Sequence, residues 1–146
     1  EEKMKYARLS NFKAYIGTNQ LAHFKTYLEK NIRNVKRLES LLDNRIKRQR
    51  CEEKNAAPNY YFFNIITPDG IDLAEYLIRR GIDTGKKVMR NIPSKYPDHI
   101  PSGELFPNTQ YIFDNTVQIP VHPGLSERDM NYIARLINKY SRTSRG

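Results

Sequence analysis

LFPNTQYIFDNTVQIPVHPGLSERDMNYIARLINKY, Leu105–Tyr140, is the stretch whose reading decides the fold. It begins on a Pro107-Asn108 turn, and Tyr111–Val121 reads as partly extended. Pro120 has no backbone N–H to give to a ladder, which confines Ile119–Val121 to a sheet edge or a strand end. After Pro123-Gly124, Ser126 is placed to cap a helix whose first turn carries the acids Glu127 and Asp129. Met130, Ile133, Ala134, Ile137 and Tyr140 then recur at steps of three and four, the spacing of a face that fills a core.

Upstream, Tyr60–Ile66 is an aromatic and β-branched run expected to form a strand, closed by the turn Thr67-Pro68-Asp69-Gly70. Leu73, Leu77 and Ile78 give Asp72–Arg80 a helical face, and Gly81 follows as a C-cap. Ile82–Gly85 leads into an extended piece, Lys86–Met89, and Pro93–Pro107 reads as a long loop. Further back, Asn11 to about Arg50 contains no proline and one glycine, Gly17. Its apolar residues, from Leu21 and Phe24 to Leu42 and Ile46, lie on one face of a long amphipathic helix, with Ser10 as N-cap. A helix of that length is expected to bridge two bodies or to pack in an interface. Cys51–Asn59 reads as a linker. The expected class is therefore α/β, of the small α+β type: a long N-terminal helix followed by a small sheet flanked by helices. Residues 1–54 form the connecting segment and residues 55–146 the small domain.

Composition bounds the possibilities. One domain with a modest core fits 146 residues, and with no Trp that core rests on Leu, Ile, ten Tyr and six Phe. No apolar run approaches the length of a membrane span, and Glu1-Glu2-Lys3-Met4 lacks the apolar core of a signal peptide. The single cysteine, Cys51, excludes an internal disulfide framework and fits a reducing cytoplasm. The net charge of +9 is uneven: residues 1–54 hold 14 Lys+Arg against 7 Asp+Glu, and residues 55–146 hold 11 against 9. The excess is densest at Arg45–Arg50, a run able to meet phosphate but without interleaved aromatics. A solvated helix end, its cations favoured by the C-terminal dipole, is the plainer reading.

The Pro-Asn turn, the Ile119-Pro120-Val121-His122-Pro123 segment and the Ser126–Asp129 helix start resemble the closing signature of the DegT/StrS family of sugar aminotransferases. There "PN-x-E", "LP-[LIV]-H-P-x-L-[ST]-E-x-D" and "YI" recur in the same order. Arg8–Gly17 with Gln20-Leu21 is similar to the family's "YRM-[ST]-x-[LI]-Q-A-A-[IL]-G-x-x-Q-L". Tyr61–Ile65 matches its "YYxFxI" strand, and Asp72–Thr84 its "L-x-x-x-L-x-x-x-GI-x-T".

The resemblance implies a pyridoxal phosphate (PLP) enzyme that moves an amino group from a donor such as glutamate to a keto sugar nucleotide. Such chemistry needs a Schiff-base lysine and an acid facing the cofactor's ring nitrogen. In the family both belong to a large domain, the lysine within a Ser-His-Lys type motif. No Ser-His-Lys occurs here and only seven residues precede Arg8, so the chain alone is expected to be inactive. It would supply the parts that cover the cleft, with the large PLP domain of the same protein and a second copy in a homodimer as partners.

By the same resemblance, Arg8 stands where the family's arginine reaches toward the cofactor phosphate, a role that suits its planar fork of donors. Tyr6 occupies the place of the usual asparagine, and a salt bridge at a helix start is the alternative for Arg8. Where many members carry "HYP…H" near the nucleotide sugar, this chain has Lys86-Lys87-Val88-Met89-Arg90. Lys86, Lys87 and Arg90 are the candidate substrate-binding cations, with a solvated loop as the alternative. His122 reads as a structural residue tying strand to loop, and no metal-ligand spacing links it to His23 or His99. Two rival functions stay open. One is a non-catalytic binding or regulatory module derived from the family, favoured by the missing loop histidines. The other, less favoured, is a basic nucleic-acid-binding domain using Arg45–Arg50.

Overall fold

The computed structural model describes residues 10–51, 56, 58–68, 70–87 and 106–143. Helix α1 spans Asn11–Leu41. Ser10, extended at φ −63° and ψ 152°, caps it by accepting from the Lys13 N–H at 3.3 Å. The first two-thirds of α1 touch little: Phe12 and Leu21 are each 73% exposed. Only the last turns are buried, through Asn34, Val35 and Leu38.

The helix was expected to reach about Arg50 and stops at Leu41 instead. The reason lies in Asp43, a residue whose side chain competes for backbone donors. Its carboxylate accepts from the Arg45 N–H at 3.0 Å and from the Arg45 guanidinium at 2.8 Å. Its own N–H donates to Asn138 Oδ1 at 2.9 Å. After this turn the chain runs extended, and the Gln49 N–H donates to Asn64 O while Lys47 O accepts from the Ile66 N–H. Ile46 is thus buried as anticipated, from an extended segment and not from a helix.

The sheet has three strands, β1 (Phe63–Ile66), β2 (Gly85–Lys86) and β3 (Thr116–Ile119), in the order β1-β3-β2 and antiparallel throughout. Phe63 faces Ile119 and Ile65 faces Val117, so the buried residues of both strands share one side. β1 begins three residues later than expected. Tyr60 has φ +48°, and the Tyr61 N–H is taken by Asn59 Oδ1, which turns the backbone away from the extended state. Pro120 follows the last residue of β3, the strand-end position, in a strand that is central and not at an edge.

Helix α2 spans Gly70–Ile78, and Gly81 at φ +78° ends it as foreseen. Its N–H donates to Ile78 O at 2.9 Å, and the Ile82 N–H reaches back to Leu77 O at 3.1 Å, a Schellman arrangement. Helix α3, Pro107–Asn115, occupies a stretch expected to be part turn and part extended. None of its residues is buried, so no core stripe announced it. It rests on Pro107 in the first turn and on bonds one turn apart, from Gln110 Nε2 to Asp114 Oδ2 at 2.6 Å and from Asn115 Nδ2 to Tyr111 O at 2.8 Å. Helix α4 spans Glu127–Thr143. Ser126 and Asp129 cap each other reciprocally: the Ser126 N–H donates to Asp129 Oδ2 at 2.8 Å, and Ser126 Oγ accepts from the Asp129 N–H at 3.3 Å. Met130, Ile133, Ala134 and Ile137 are buried and Tyr140 packs half-buried at the margin. Among the described residues no helix is long and apolar enough to cross a membrane.

The last turns of α1, with α2 and α4, cover the apolar side of the sheet in one continuous core. Two asparagines fasten α1 to what lies beside it. Asn138 of α4 donates to Leu41 O at 2.8 Å as well as accepting from Asp43. Asn34, 8% exposed, points its Nδ2 at three carbonyls of the loop before α4: His122 O at 3.0 Å, Val121 O at 3.3 Å and Leu125 O at 3.4 Å. Asn34→Ala removes that donor and leaves a void beside buried carbonyls. The expected loss is about 2 kcal/mol of unfolding free energy, read as a lower urea midpoint at unchanged slope.

Candidate functional site

The cations of the β2 region gather at a corner between α2 and α3. A Cβ placed on Gly70 would meet Lys86 Nζ at 3.3 Å, Val117 Cγ2 at 3.2 Å and Asn115 O at 3.5 Å. The amine of Lys86 therefore lies beside the first residue of α2, close enough that a Cβ there would press on it. Burial, reinforced by the like charge of Lys87, pulls the Lys86 amine below its ordinary pKa against the opposing pull of Asp114 and Asp72. Lys87 adopts φ +52°, which swings its side chain to α3. There Nζ lies 3.0 Å from Asp114 Oδ1 and 5.5 Å from the centre of the Phe113 ring. The Gln110 amide, and after it Lys87, hold Asp114 below the usual carboxylate range.

Of the four expected site residues, the structure brings Lys86 and Lys87 together, while Arg8 and Arg90 lie outside the described residues. Asp114, Phe113 and Gln110 were not anticipated. The i,i+4 spacing of Gln110 and Asp114 was visible, but it gains meaning only once the segment is known to be a helix. His122 is structural, as expected: its Nδ1 accepts from the Gly124 N–H at 3.2 Å and its carbonyl holds Asn34. No group of three His, Cys, Asp or Glu able to hold a metal occurs among the described residues. His23, on the exposed part of α1, stands 6.1 Å from the Tyr27 ring.

The basic run is broken up by its extended backbone. Arg45 pairs with Asp43 at 2.8 Å, Ile46 points into the core, and Arg48 lies half-buried opposite Ile65. With Arg45 in a turn and paired to Asp43, and Arg48 half-buried in an isolated bridge, the four cations do not make one phosphate-tracking face.

The described residues do not fit PLP by themselves. Lys87 is held by Asp114, and half-buried Lys86 places its amine beside Gly70.

The sequence matches the DegT/DnrJ/EryC1/StrS aminotransferase family over residues 4–138. The chain belongs to this family. Its members are PLP-dependent aminotransferases, and the fold agrees. The chain superposes on DesV of S. venezuelae, solved with a ketimine intermediate, with a TM-score of 0.83 at 18% identity, covering 96% of this chain and 41% of that one. A DegT/DnrJ/EryC1/StrS aminotransferase from Brucella abortus gives 0.80 at 20% identity, with 96% and 40% covered. Spr1654 of Streptococcus pneumoniae, in the PMP form of a sugar aminotransferase, gives 0.82 at 17% identity, with 93% and 36% covered. No curated protein matches the chain. The chain thus spans about two-fifths of the length of these family structures.

The depressed pKa of Lys86 has a consequence for stability. The folded state binds that proton less tightly than the unfolded chain, so protonation opposes folding. Stability from this residue therefore rises as pH climbs from the lowered value toward the ordinary 10.5. Urea midpoints of the native chain are expected to gain on those of Lys86→Met as pH rises toward the ordinary lysine value of 10.5. Parallel pH curves for the two proteins contradict the assignment.

Proposed function

We propose that this chain is the C-terminal portion of a PLP-dependent aminotransferase that acts on a keto sugar nucleotide with an amino-acid donor such as glutamate. The observation that carries the reading is the family match over residues 4–138, supported by superpositions that cover nearly the whole chain yet two-fifths of each relative. The Schiff-base lysine, and with it catalysis, then belongs to residues outside this chain. Residues 1–54 connect to a large PLP domain and residues 55–146 cover the cleft. The whole protein works as a cytoplasmic homodimer in amino-sugar biosynthesis.

The exposed apolar residues of α1, among them Phe12, Tyr15, Leu21 and Phe24, support a further body against that helix. Arg8 would face the cofactor phosphate. Lys86, Lys87 and Arg90 would meet the diphosphate of the substrate, with Asp114 holding Lys87 until a stronger anion arrives.

The test begins with the intact mass of the product of the native gene, expected to exceed twice the 17.2 kDa of this chain. Borohydride reduction of that product with PLP should label one lysine outside these 146 residues. A native mass near 17 kDa, or a label within the chain, overturns the reading in favour of a non-catalytic module. In the full enzyme, Lys87→Ala should raise KM for the sugar nucleotide about tenfold while kcat stays within about twofold.

A further inference from the structure

The seam between α1 and α4 opens at the surface as two shallow grooves that meet where Arg37 bonds Asn131. One, of about 610 Å³, passes half-buried Leu41 and carries Arg135, Lys139 and Arg142. The other, of about 270 Å³, carries Lys30, Arg33 and Arg37, with Glu127 as its acid. All of these charged residues are exposed. Six cations against one acid leave five positive charges along the seam. Neighbouring acids do not offset them. Arg142 acts on the Asp43 carboxylate, but Asp43 is paired with Arg45 at 2.8 Å, so those two residues leave the balance unchanged. Asp129 is bonded to Ser126 and offset by Arg128. Glu39 acts on Tyr60 and lines neither groove. Among the described residues the ion pairs, Asp43–Arg45, Glu75–Arg79 and Asp114–Lys87, engage none of the six cations.

Within each helix these cations follow one another at three and four residues, a spacing at which like charges destabilise a helix. The fold therefore keeps a row of repulsions that an anionic partner relieves. Two of the guanidinium groups are oriented in advance. Asn131 Oδ1 accepts from Arg37 Nε at 3.2 Å and Nη2 at 3.0 Å, and Arg135 lies 5.2 Å from the centre of the Tyr132 ring. A rise of about 1.5 Å per residue sets successive cations about 5–6 Å apart and makes the seam about 20 Å long. An extended peptide with an acid at every second residue repeats its carboxylates about 6–7 Å apart, so about six residues span the seam. No aromatic residue lines either groove, which leaves the bases of a single-stranded nucleic acid nothing to stack on. We propose that the α1–α4 seam is a docking surface for an acidic polypeptide segment in extended form. Its carboxylates accept from the Arg33, Arg37, Arg135 and Arg142 forks and from the Lys30 and Lys139 ammonium groups. The seam draws on neither Lys86 nor Lys87, so it stands whether or not the aminotransferase reading does.

The experiment is a titration of fluorescein-labelled deca-glutamate with the chain, read by anisotropy. Binding should be measurable at about 20 mM NaCl and weaken about tenfold by about 200 mM, as screening shortens the reach of the exposed charges. Arg135→Glu, in the middle of the seam, should weaken binding about tenfold. Lys25→Glu makes the same change in net charge on an exposed residue that lines neither groove, and should leave binding within about twofold. Labelled decathymidylate, of similar charge, should bind no more tightly than the peptide. An absence of binding at low salt, or an equal loss in the two variants, would overturn the proposal. Tighter binding of the oligonucleotide would overturn it in favour of a nucleic-acid partner. The comparison of peptide with oligonucleotide is made on the unaltered protein, so it decides the question even if Arg135→Glu does not fold.

Discussion

One carboxamide in the interior sets the geometry of everything around it. Asn34 sits on the last turns of α1 among Val35 and Leu38, where burying a polar side chain is costly unless it is satisfied. It is satisfied by carbonyls of the segment Val121–Leu125, where His122 O also closes a turn with the Leu125 N–H. The two needs answer each other across 87 to 91 residues of sequence, and the answer fixes where α4 begins. Asn138 repeats the device at the other end of the α1–α4 contact by bonding Leu41 O and the Asp43 N–H. Apolar packing between two helices tolerates sliding, whereas carboxamides aimed at named backbone atoms do not. The sheet and α2 then close on a frame whose register is already decided.

Much of this frame was legible in the sequence because its signals are local and additive. Helix α4 carries a cap, acids in its first turn and a five-residue apolar stripe, all in agreement. Gly81 and the Leu73–Leu77 spacing gave α2 for the same reason. What escaped notice depended on side chains that redirect the backbone. Asp43 ends α1 by capturing Arg45, although the apolar spacing continues to Ile46. Tyr60 breaks the extended run with a positive φ that nothing about tyrosine foretells. Helix α3 buries none of its residues, so the periodic signal on which a helix reading rests was absent from the start.

The candidate site divides along the same line. That cations stand at 86 and 87 is plain from the sequence, and their significance came from resemblance to a family. Their inequality is a product of the fold. Lys87 turns outward through a left-handed backbone to meet Asp114, while Lys86 lies against Gly70 in a gap without a Cβ. Neighbouring residues of one type thus hold amines in different electrostatic states, one neutralised by a partner and one squeezed by burial.

The uneven burial of α1 makes it a lever. An α-helix rises 1.5 Å per residue, so the twenty-odd residues ahead of Asn34 project about 30 Å beyond the point where the helix is gripped. A tilt of about 5° at that grip moves the free end by about 2–3 Å, well over the tolerance of a packed interface. The α1–α4 contact, through Asn34 and Asn138, therefore decides where the exposed Phe12 and Leu21 stand.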